Sequence, residues 1–384
     1  MSSETKEGGR IMFGSTKVAF FGAIAGSALL AGLGQALATE PANLGNFLPG
    51  NTMGAPIAAA PPPGLWFAST AFYIPMASGN GNANCGPGCK ERYNAVGATV
   101  NLTWGSGWKF LGADYYPTIQ TGAFQATATV LPYPPGGGVL QSPIYGNIFD
   151  HEIANLYVNP LNFSWNLGKG LYVAAGLGFV APAGSTYAGS LVPDYWTIRP
   201  HAAVSYLGEG WNLTVSALYD INTASEGRTG LYQVIARNPA TAPAFAAFLT
   251  GPANPGRGYT SGNYLYVDWT ATKKFGSWEI GPVGFFKFET TDDSPGGINP
   301  ATGSAWTCAQ LRIAKLPTCG KDVNIGAGLL IGYNFGPVDM KFIYANAFYS
   351  RDTIGSNTGS EFFLKTSFKL WSPEEAPKKI LITK

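Results

Sequence analysis

Apolar and polar residues alternate along residues 195–221, and this two-residue period constrains the fold more than any other feature of the chain. One set of alternate positions reads Trp196, Ile198, Pro200, Ala202, Val204 and Tyr206, and it resumes as Trp211, Leu213, Val215, Ala217 and Tyr219. A period of two is typical of a strand with two unlike faces. The break at Gly208-Glu209-Gly210 predicts a tight turn, and therefore a long β-hairpin. Its arms exceed the about 9–11 residues that a tilted strand needs to cross a bilayer.

The same alternation recurs from Gly64 onward. It predicts strands at 65–75, 92–105, 107–118, 153–167, 170–181, 195–207, 210–221, 262–275, 277–290, 322–335, 337–349 and 361–371. Only 12% of residues are charged, about half the usual share, and the apolar residues are dispersed rather than collected in one long run. We therefore expect an all-β protein, an antiparallel transmembrane outer-membrane β-barrel of about 12 strands.

The connections between the predicted strands alternate in length. Short turns are expected at 105–107, 168–169, 208–210, 276 and 336–337, and long loops at 76–91, 119–152, 182–194, 222–261, 291–321 and 350–360. Short turns on one side and long loops on the other are typical of outer-membrane barrels, whose turns are periplasmic and whose loops are extracellular. A soluble β-sandwich does not require this alternation and would bury its apolar faces.

The first 38 residues are predicted to be a cleaved signal peptide. Lys6, Arg10 and Lys17 precede or flank an apolar core at 18–33, and Ala36-Leu37-Ala38 fits a cleavage site. A membrane-anchor helix is the alternative, but the core is short for a span of about 20 residues. Export by this signal would place the protein in the outer membrane of a Gram-negative bacterium.

Residues 39–63 are rich in proline, alanine and glycine, and residues 64–371 are expected to form the barrel. The proline-rich segment predicts extended chain that either plugs the lumen or extends into the periplasm. Both alternatives stay open at this point. Residues 372–384 are expected to be a periplasmic tail.

The third predicted strand is the weakest, because Gly112 and Asp114 fall on the face assigned to lipid. A β-bulge at Gly112 would redirect Asp114. Alternatively, Asp114 lies beyond the apolar band of the membrane.

All four cysteines, Cys85, Cys89, Cys308 and Cys319, fall in predicted extracellular loops. An even number in an oxidising compartment predicts disulfides. Local pairing, Cys85 with Cys89 and Cys308 with Cys319, is the expected arrangement, while cross-pairing of the two loops stays open. A metal site is disfavoured because no histidine lies near these cysteines.

The polar strand faces carry charges of both signs, which would be costly against lipid, by about 2–4 kcal/mol for each lysine or arginine near the midplane. They are therefore expected to line the lumen: Arg199, His201, Asp268, Glu279, Lys287, Glu289, Asp339, Lys341, Glu361, Lys365 and Lys369. They predict either a mixed ion-pair network around a narrow conduit or a purely structural filling of the barrel.

Five aromatic residues also fall on the predicted inward face: Tyr115, Tyr195, Tyr264, Tyr266 and Phe285. They could form an apolar path for a solute, or they could pack against the N-terminal segment. The alternation alone does not choose between these interpretations.

Several short motifs, taken in order, resemble one family of outer-membrane proteins. They are Pro61-Pro62-Pro63-Gly64-Leu65-Trp66-Phe67, Tyr195-Trp196, Pro200, Ser205-Tyr206-Leu207, Gly210-Trp211, Tyr219-Asp220-Ile221-Asn222-Thr223, Tyr259, Ser261-Gly262, Asp268, Phe275-Gly276-Ser277-Trp278 and Thr290-Thr291-Asp292-Asp293. The family is labelled "involved in the meta-pathway of phenol degradation", and the resemblance covers most of 61–371. It implies an outer-membrane channel associated with the breakdown of aromatic or other hydrophobic compounds. The insertion at 222–258 and the cysteine loops depart from the family pattern, which leaves the substrate open.

The expected function is passive uptake of small hydrophobic or aromatic compounds through a narrow lumen. The alternatives are a structural or surface-binding barrel with a plugged lumen and, less favoured, an outer-membrane hydrolase of phospholipase type. Only His151 and His201 could serve such a hydrolase, and no Asn/Ser/His constellation accompanies them on the lipid-facing side, so we expect no enzyme activity.

The expected partners are outer-membrane lipid and a small apolar solute. Nucleic acid is not expected, because the net charge is only +2 and no Lys/Arg stripe is present. No cofactor motif is found. Substrate identity, direction of flux and oligomeric state are not determined by the sequence.

Overall fold

The computed structural model describes residues 45–77, 91–130, 148–186, 190–229, 251–313, 319–351 and 358–373. The predicted signal peptide, Cys85, Cys89 and residues 374–384 lie outside these ranges. Within them, no helix has the length and apolarity needed to cross a membrane.

The described chain forms one sheet of 15 strands and one short helix. The strands are β1 (Gly64–Ala77), β2 (Glu91–Gly105), β3 (Lys109–Phe110), β4 (Ala113–Tyr115), β5 (Thr118–Val130), β6 (Ile148–Ile153), β7 (Leu156–Gly168), β8 (Leu171–Ala181), β9 (Thr197–Tyr206), β10 (Trp211–Asn222), β11 (Tyr264–Phe275), β12 (Trp278–Glu289), β13 (Val323–Asn334), β14 (Val338–Arg351) and β15 (Thr358–Trp371). The helix is α1 (Cys308–Ile313).

The sheet closes into an antiparallel barrel with 12 wall strands, which confirms the predicted fold. The third wall strand consists of β4 and β5, and the fourth consists of β6 and β7, while β3 is a short arm paired with β4. Closure is made by β1 and β15, whose register runs from Leu65↔Trp371 to Ala77↔Thr358. Because the first and last strands pair, neither β1 nor β15 is a free edge strand.

The predicted third strand was wrong in its bounds. Leu111 and Gly112 have φ values of 49° and 79° and form a turn between β3 and β4, so Gly112 is a turn residue rather than a bulge. After a break at Tyr116-Pro117, the wall continues to Val130, within the expected long loop 119–152. The prediction failed because a strand broken by a proline and rich in small polar residues shows little amphipathic contrast.

This turn also decides the side on which Asp114 lies. Asp114 is the register partner of Ser164, whose hydroxyl bonds inside the barrel, and cross-strand partners share a face. Asp114 is therefore on the inward side, where its carboxylate pairs with Lys109 at 2.6 Å.

The two faces of the strands differ as the alternation predicts. On the outer face, Val204, Leu213 and Val215 are 41–49% exposed. On the inner face, Asn212, Thr214 and Ser216 are 3–4% exposed. Large apolar side chains outside and polar side chains inside are the reverse of a soluble protein and fit a bilayer environment.

The short turns have the backbone geometry of two-residue hairpins. Glu209 and Gly210, between β9 and β10, both have positive φ, at 53° and 80°. Two such residues in succession form the type I′ turn, whose twist matches that of the flanking strands.

Candidate functional site

Residues 45–60, which we call the lumen segment, lie inside the barrel and bond to inward-facing side chains. The amide of Gly54 donates to the Thr270 hydroxyl at 2.8 Å. Ala58 accepts a hydrogen bond from the Ser164 hydroxyl at 2.6 Å, and its amide donates to Ser205 at 3.2 Å. These side chains satisfy main-chain groups that the irregular segment cannot pair with itself.

Asp268 on β11 holds the middle of the lumen segment through a single carboxylate. Its Oδ1 accepts from the Gly50 amide at 3.0 Å, and its Oδ2 accepts from the Thr52 amide at 2.8 Å and the Thr52 hydroxyl at 2.7 Å. Bonds to an ionised acceptor are stronger than those between neutral groups. The predicted lumen residue Asp268 thus serves as an anchor for the segment.

Two lysines bind the same turn through its carbonyl groups. Lys365 donates to Gly50, Asn51 and Met53 at 3.1, 2.7 and 2.7 Å. The ammonium group of Lys341 donates a hydrogen bond to the carbonyl of Gly54 at 2.6 Å. Cations on carbonyls and a carboxylate on amides hold the turn on both sides.

Arg199 connects the N-terminal end of the lumen segment to the wall. It makes two hydrogen bonds with Asp220, at 2.5 and 2.7 Å, and donates to the Asn46 carbonyl at 2.9 Å. Its guanidinium lies 5.2 Å from the ring centroid of Phe47 and 4.9 Å from that of Tyr157. Asp220 was missed as a site residue, although it lies on the polar face of the same predicted hairpin.

The aromatic residues pack against this segment or lie elsewhere. Tyr264 and Tyr266 are almost fully buried in a cluster with Phe47, whose ring is 4.9 Å from that of Tyr266. Phe285 packs with Met53, while Tyr195 is 1% exposed. The expectation for Tyr115 was wrong, because its register partner Phe163 is on the outer face and the rings are 5.5 Å apart. Among the described residues, these five do not form an apolar path.

The remaining predicted residues form wall contacts. Glu279 pairs with Lys341 at 3.0 Å, and Asp339 approaches the same ammonium at 3.5 Å. The Nε2 atom of His201 lies 3.1 Å from Asn162 and 3.5 Å from Asn159. Glu361 is buried on the inward face of β15, and Lys369 lies 5.0 Å over the Trp66 ring.

A second group of buried charges lies at the extracellular end. Lys287 pairs with Asp322, and the Asp322 amide donates to Glu289 at 2.9 Å. Asp293 accepts from the amides of Gly262 at 2.8 Å and Gly320 at 3.1 Å. Asp293 was missed because it lies in a connection, where no periodicity assigns a face. Asp322 was missed although it begins the predicted strand 322–335, on the face opposite Val323 and Ile325.

Glu289 and Asp293 are both buried, and their carboxyl groups interact. Burial raises the pKa of the Asp293 carboxyl to about 7, although hydrogen bonds from Glu289, Gly262 and Tyr259 oppose this shift. Burial also raises the pKa of Asp322, against the lowering effect of Lys287. These carboxyl groups therefore bind a proton more tightly while the connections are closed and bury them.

A disulfide joins Cys308 to Cys319, with Cα atoms 5.5 Å apart. This is the local pairing expected for these two residues. It closes the connection between β12 and β13 next to Gly320, whose amide bonds Asp293.

A cavity of about 310 Å³ remains in the lumen beside the segment. Neutral polar residues of four wall strands line one side, including Thr70, Thr99, Asn101, Thr103, Thr118, Gln120 and Asn159. Ala55, Pro56 and Ile57 of the lumen segment line the other side. Sequence reasoning missed this cavity because it considered only charged and aromatic residues, although Thr99-Asn101-Thr103 carries the same alternation.

A family model described as "Putative MetA-pathway of phenol degradation" matches residues 76–362, which is most of the chain. The chain belongs to this family. The match confirms the resemblance seen in the ordered motifs. No curated protein sequence matches the chain.

Solved structures with the same kind of fold are outer-membrane barrels. The COG4313 outer membrane channel from Pseudomonas putida F1 superposes with a TM-score of 0.53 at 9% identity, covering 81% of this chain and 97% of that one. The TodX monoaromatic hydrocarbon channel mutant gives 0.35 at 9% identity, covering 80% and 90%. Outer membrane phospholipase A from Escherichia coli gives 0.30 at 11% identity, covering 80% and 97%. The first of these supports the barrel fold of outer-membrane proteins.

Proposed function

We propose that this protein is a channel for passive uptake of small hydrophobic or aromatic compounds across the outer membrane of a Gram-negative bacterium. The observation that carries the proposal is the cavity of about 310 Å³ that remains between the wall and the lumen segment. A barrel filled only for stability has no reason to keep a space of this size in its lumen, and the volume falls within the range of small-ligand sites. The description of the family, which refers to phenol degradation, favours an aromatic solute.

Uptake measurements test this proposal. Vesicles with a lipopolysaccharide outer leaflet, with and without the protein, would be offered a labelled ring compound and a labelled sugar. We expect the protein to accelerate entry of the ring compound more than that of the sugar. Equal and negligible acceleration for both solutes would contradict the proposal.

A second candidate function is that of a plugged barrel whose extracellular connections bind a partner. It is favoured by the hydrogen bonds of Asp268, Lys341 and Lys365 to the lumen segment. Deleting residues 39–60 and measuring conductance in planar bilayers separates the two functions. A large rise from a silent wild type indicates a plug, whereas an unchanged conductance removes this candidate.

We further propose that the protein is not an enzyme and is exported by a cleaved signal. In support, the Nε2 atom of His201 lies 3.1 Å from Asn162 within the lumen, so this side chain does not face the lipid. Lipid hydrolysis that is abolished by replacing His201 or His151 would contradict the first proposal. Sequencing the N-terminus of the exported protein tests the second, and we expect it to begin at Thr39.

A further inference from the structure

Two amide side chains face the cavity from adjacent strands. Asn101 of β2 and Gln120 of β5 are direct register partners, and both line the cavity. Register partners lie about 4.5–5.5 Å apart between their Cβ atoms. The two amide groups therefore lie side by side on one wall.

Each amide uses its oxygen and leaves its nitrogen available. The Asn101 oxygen accepts from the Thr103 hydroxyl at 2.8 Å, and the Gln120 oxygen accepts from Asn51 at 3.4 Å. Neither side-chain nitrogen donates a hydrogen bond to any part of the chain that the structure describes. The pair thus presents NH₂ donors to the cavity, and such donors require an acceptor.

The ammonium groups at the cavity edge already have hydrogen-bond acceptors. Lys365 donates to three carbonyls, and Lys341 lies between Glu279, Asp339 and the Gly54 carbonyl. An anion entering the cavity would lose its hydration without finding a free ammonium donor, which is costly. A neutral ligand avoids this cost.

Part of the cavity lining is apolar. Ala55, Pro56, Ile57 and Leu218 contribute carbon atoms there. At about 310 Å³ the cavity is at the lower end of the range for ligand sites. It therefore fits a molecule with one apolar body, about one ring in size, and one oxygen acceptor.

We propose that Asn101 and Gln120 form a binding site for the oxygen atom of a neutral, ring-sized alcohol, phenol or carbonyl compound. The site favours such molecules over hydrocarbons of the same shape, which leave the donors unpaired, and over carboxylates, which bring an uncompensated charge. This inference rests on the proposed function as a channel, and it narrows the solute class.

Fluorine NMR of the full protein in lipid nanodiscs tests the site with 4-fluorophenol, fluorobenzene and 4-fluorobenzoate at neutral pH. The test variant is Asn101→Leu with Gln120→Leu, which keeps the side-chain volume and removes the donors. The control is Ala98→Leu with Ala123→Leu, because these residues are register partners on the outer face of the same two strands. Subtracting the signals of empty nanodiscs removes partitioning into lipid.

We expect wild type and control to bind 4-fluorophenol about tenfold more tightly than the test variant. The wild type should bind fluorobenzene more weakly than 4-fluorophenol. The test variant should bind fluorobenzene as tightly as the wild type does. Equal 4-fluorophenol binding in all three proteins, or tightest binding of fluorobenzene or 4-fluorobenzoate, overturns the proposal. If the double variant does not fold, Gln120→Met alone should still weaken 4-fluorophenol binding relative to the control.

The site and the channel can fail separately. Donor-dependent binding without accelerated uptake contradicts the proposed function and leaves the site intact. Accelerated uptake without donor-dependent binding contradicts the site and leaves the channel intact.

Discussion

The carboxylate of Asp268 accepts hydrogen bonds from both the amide and the hydroxyl of Thr52, at 2.8 and 2.7 Å. The two residues are 216 positions apart in the sequence. This contact joins a wall strand to an irregular segment within the barrel, and it identifies the groups on which retention of the segment depends.

We predict that Asp268→Asn loosens the lumen segment. The substitution removes the charge that three donors share, and hydrogen bonds to a charged group contribute about 1.5–3 kcal/mol each. The fraction of time that the channel is open in planar bilayers should rise roughly 10- to 100-fold. Glu226→Gln, at a side chain that is 66% exposed, is the control and should leave conductance unchanged. A silent Asp268→Asn channel would count against this role.

Lys365→Met should act on the same turn from the other side. It leaves the carbonyls of Gly50, Asn51 and Met53 without their ammonium donor. We expect more open channels, and we expect the double variant with Asp268→Asn to open less than the sum of the two effects, since both act on one turn. Lys369→Met on the same strand is the control. Strict additivity would mean that the two residues hold different elements.

Removing the disulfide should affect the connection and leave the barrel intact. Closing a loop of this size contributes about 3 kcal/mol in the chain-entropy model. In Cys308→Ser with Cys319→Ser, we expect limited proteolysis to cut within 290–321 faster, while the heat-modified gel mobility of the barrel is unchanged. The control replaces Cys85 and Cys89. A barrel that melts with the connection would show that the two are one cooperative unit.

Closure of the extracellular connections should weaken as the pH rises. The pKa of Asp293 is about 7, against an ordinary value of about 3.9. Because the closed state binds the proton more tightly, its stabilising effect is fully present below about pH 4 and is lost as the pH rises through about 7. Asp293→Asn should remove this dependence, since its amide side chain resembles the protonated carboxyl group and does not titrate.

Hydrogen exchange of the peptides that contain Gly262 and Gly320 measures this effect. Taking the ratio of wild type to Asp293→Asn at each pH cancels the intrinsic pH dependence of exchange. We expect a ratio near one in acid and roughly tenfold faster exchange in the wild type at alkaline pH. Asp292→Asn, at a side chain that is 84% exposed, should behave as wild type. A ratio that stays near one throughout would contradict the raised pKa of Asp293.

A charge introduced on the outer face of β15 should destabilise the barrel more when it lies closer to the bilayer midplane. Leu364 is 42% exposed near the middle of the strand, and Leu370 is 50% exposed near its end. Leu364→Arg should lower the free energy of unfolding by about 2–4 kcal/mol, and the control Leu370→Arg by about 0–1 kcal/mol. Denaturant unfolding in vesicles measures both. Equal losses of unfolding free energy for the two variants would mean that the bilayer midplane does not lie near Leu364.

The two-residue alternation by itself determined the barrel, the outward side of each well-patterned strand and the inward position of residues such as Arg199 and Lys365. This works because side chains of a strand alternate between its two faces whatever the partner strand is. The rule failed at β4 and β5, where a turn at Gly112 and the break at Pro117 interrupt the period.

The tertiary structure alone decided what the inward residues do. Asp268, Lys341 and Lys365 bind main-chain groups of residues 50–54, and Asn101 faces a cavity together with Gln120. An irregular segment has no period, and its donors and acceptors can be satisfied by any wall strand that closure brings near. Which partners meet is therefore a property of the closed barrel, in which residues more than 200 positions apart in sequence lie within hydrogen-bonding distance.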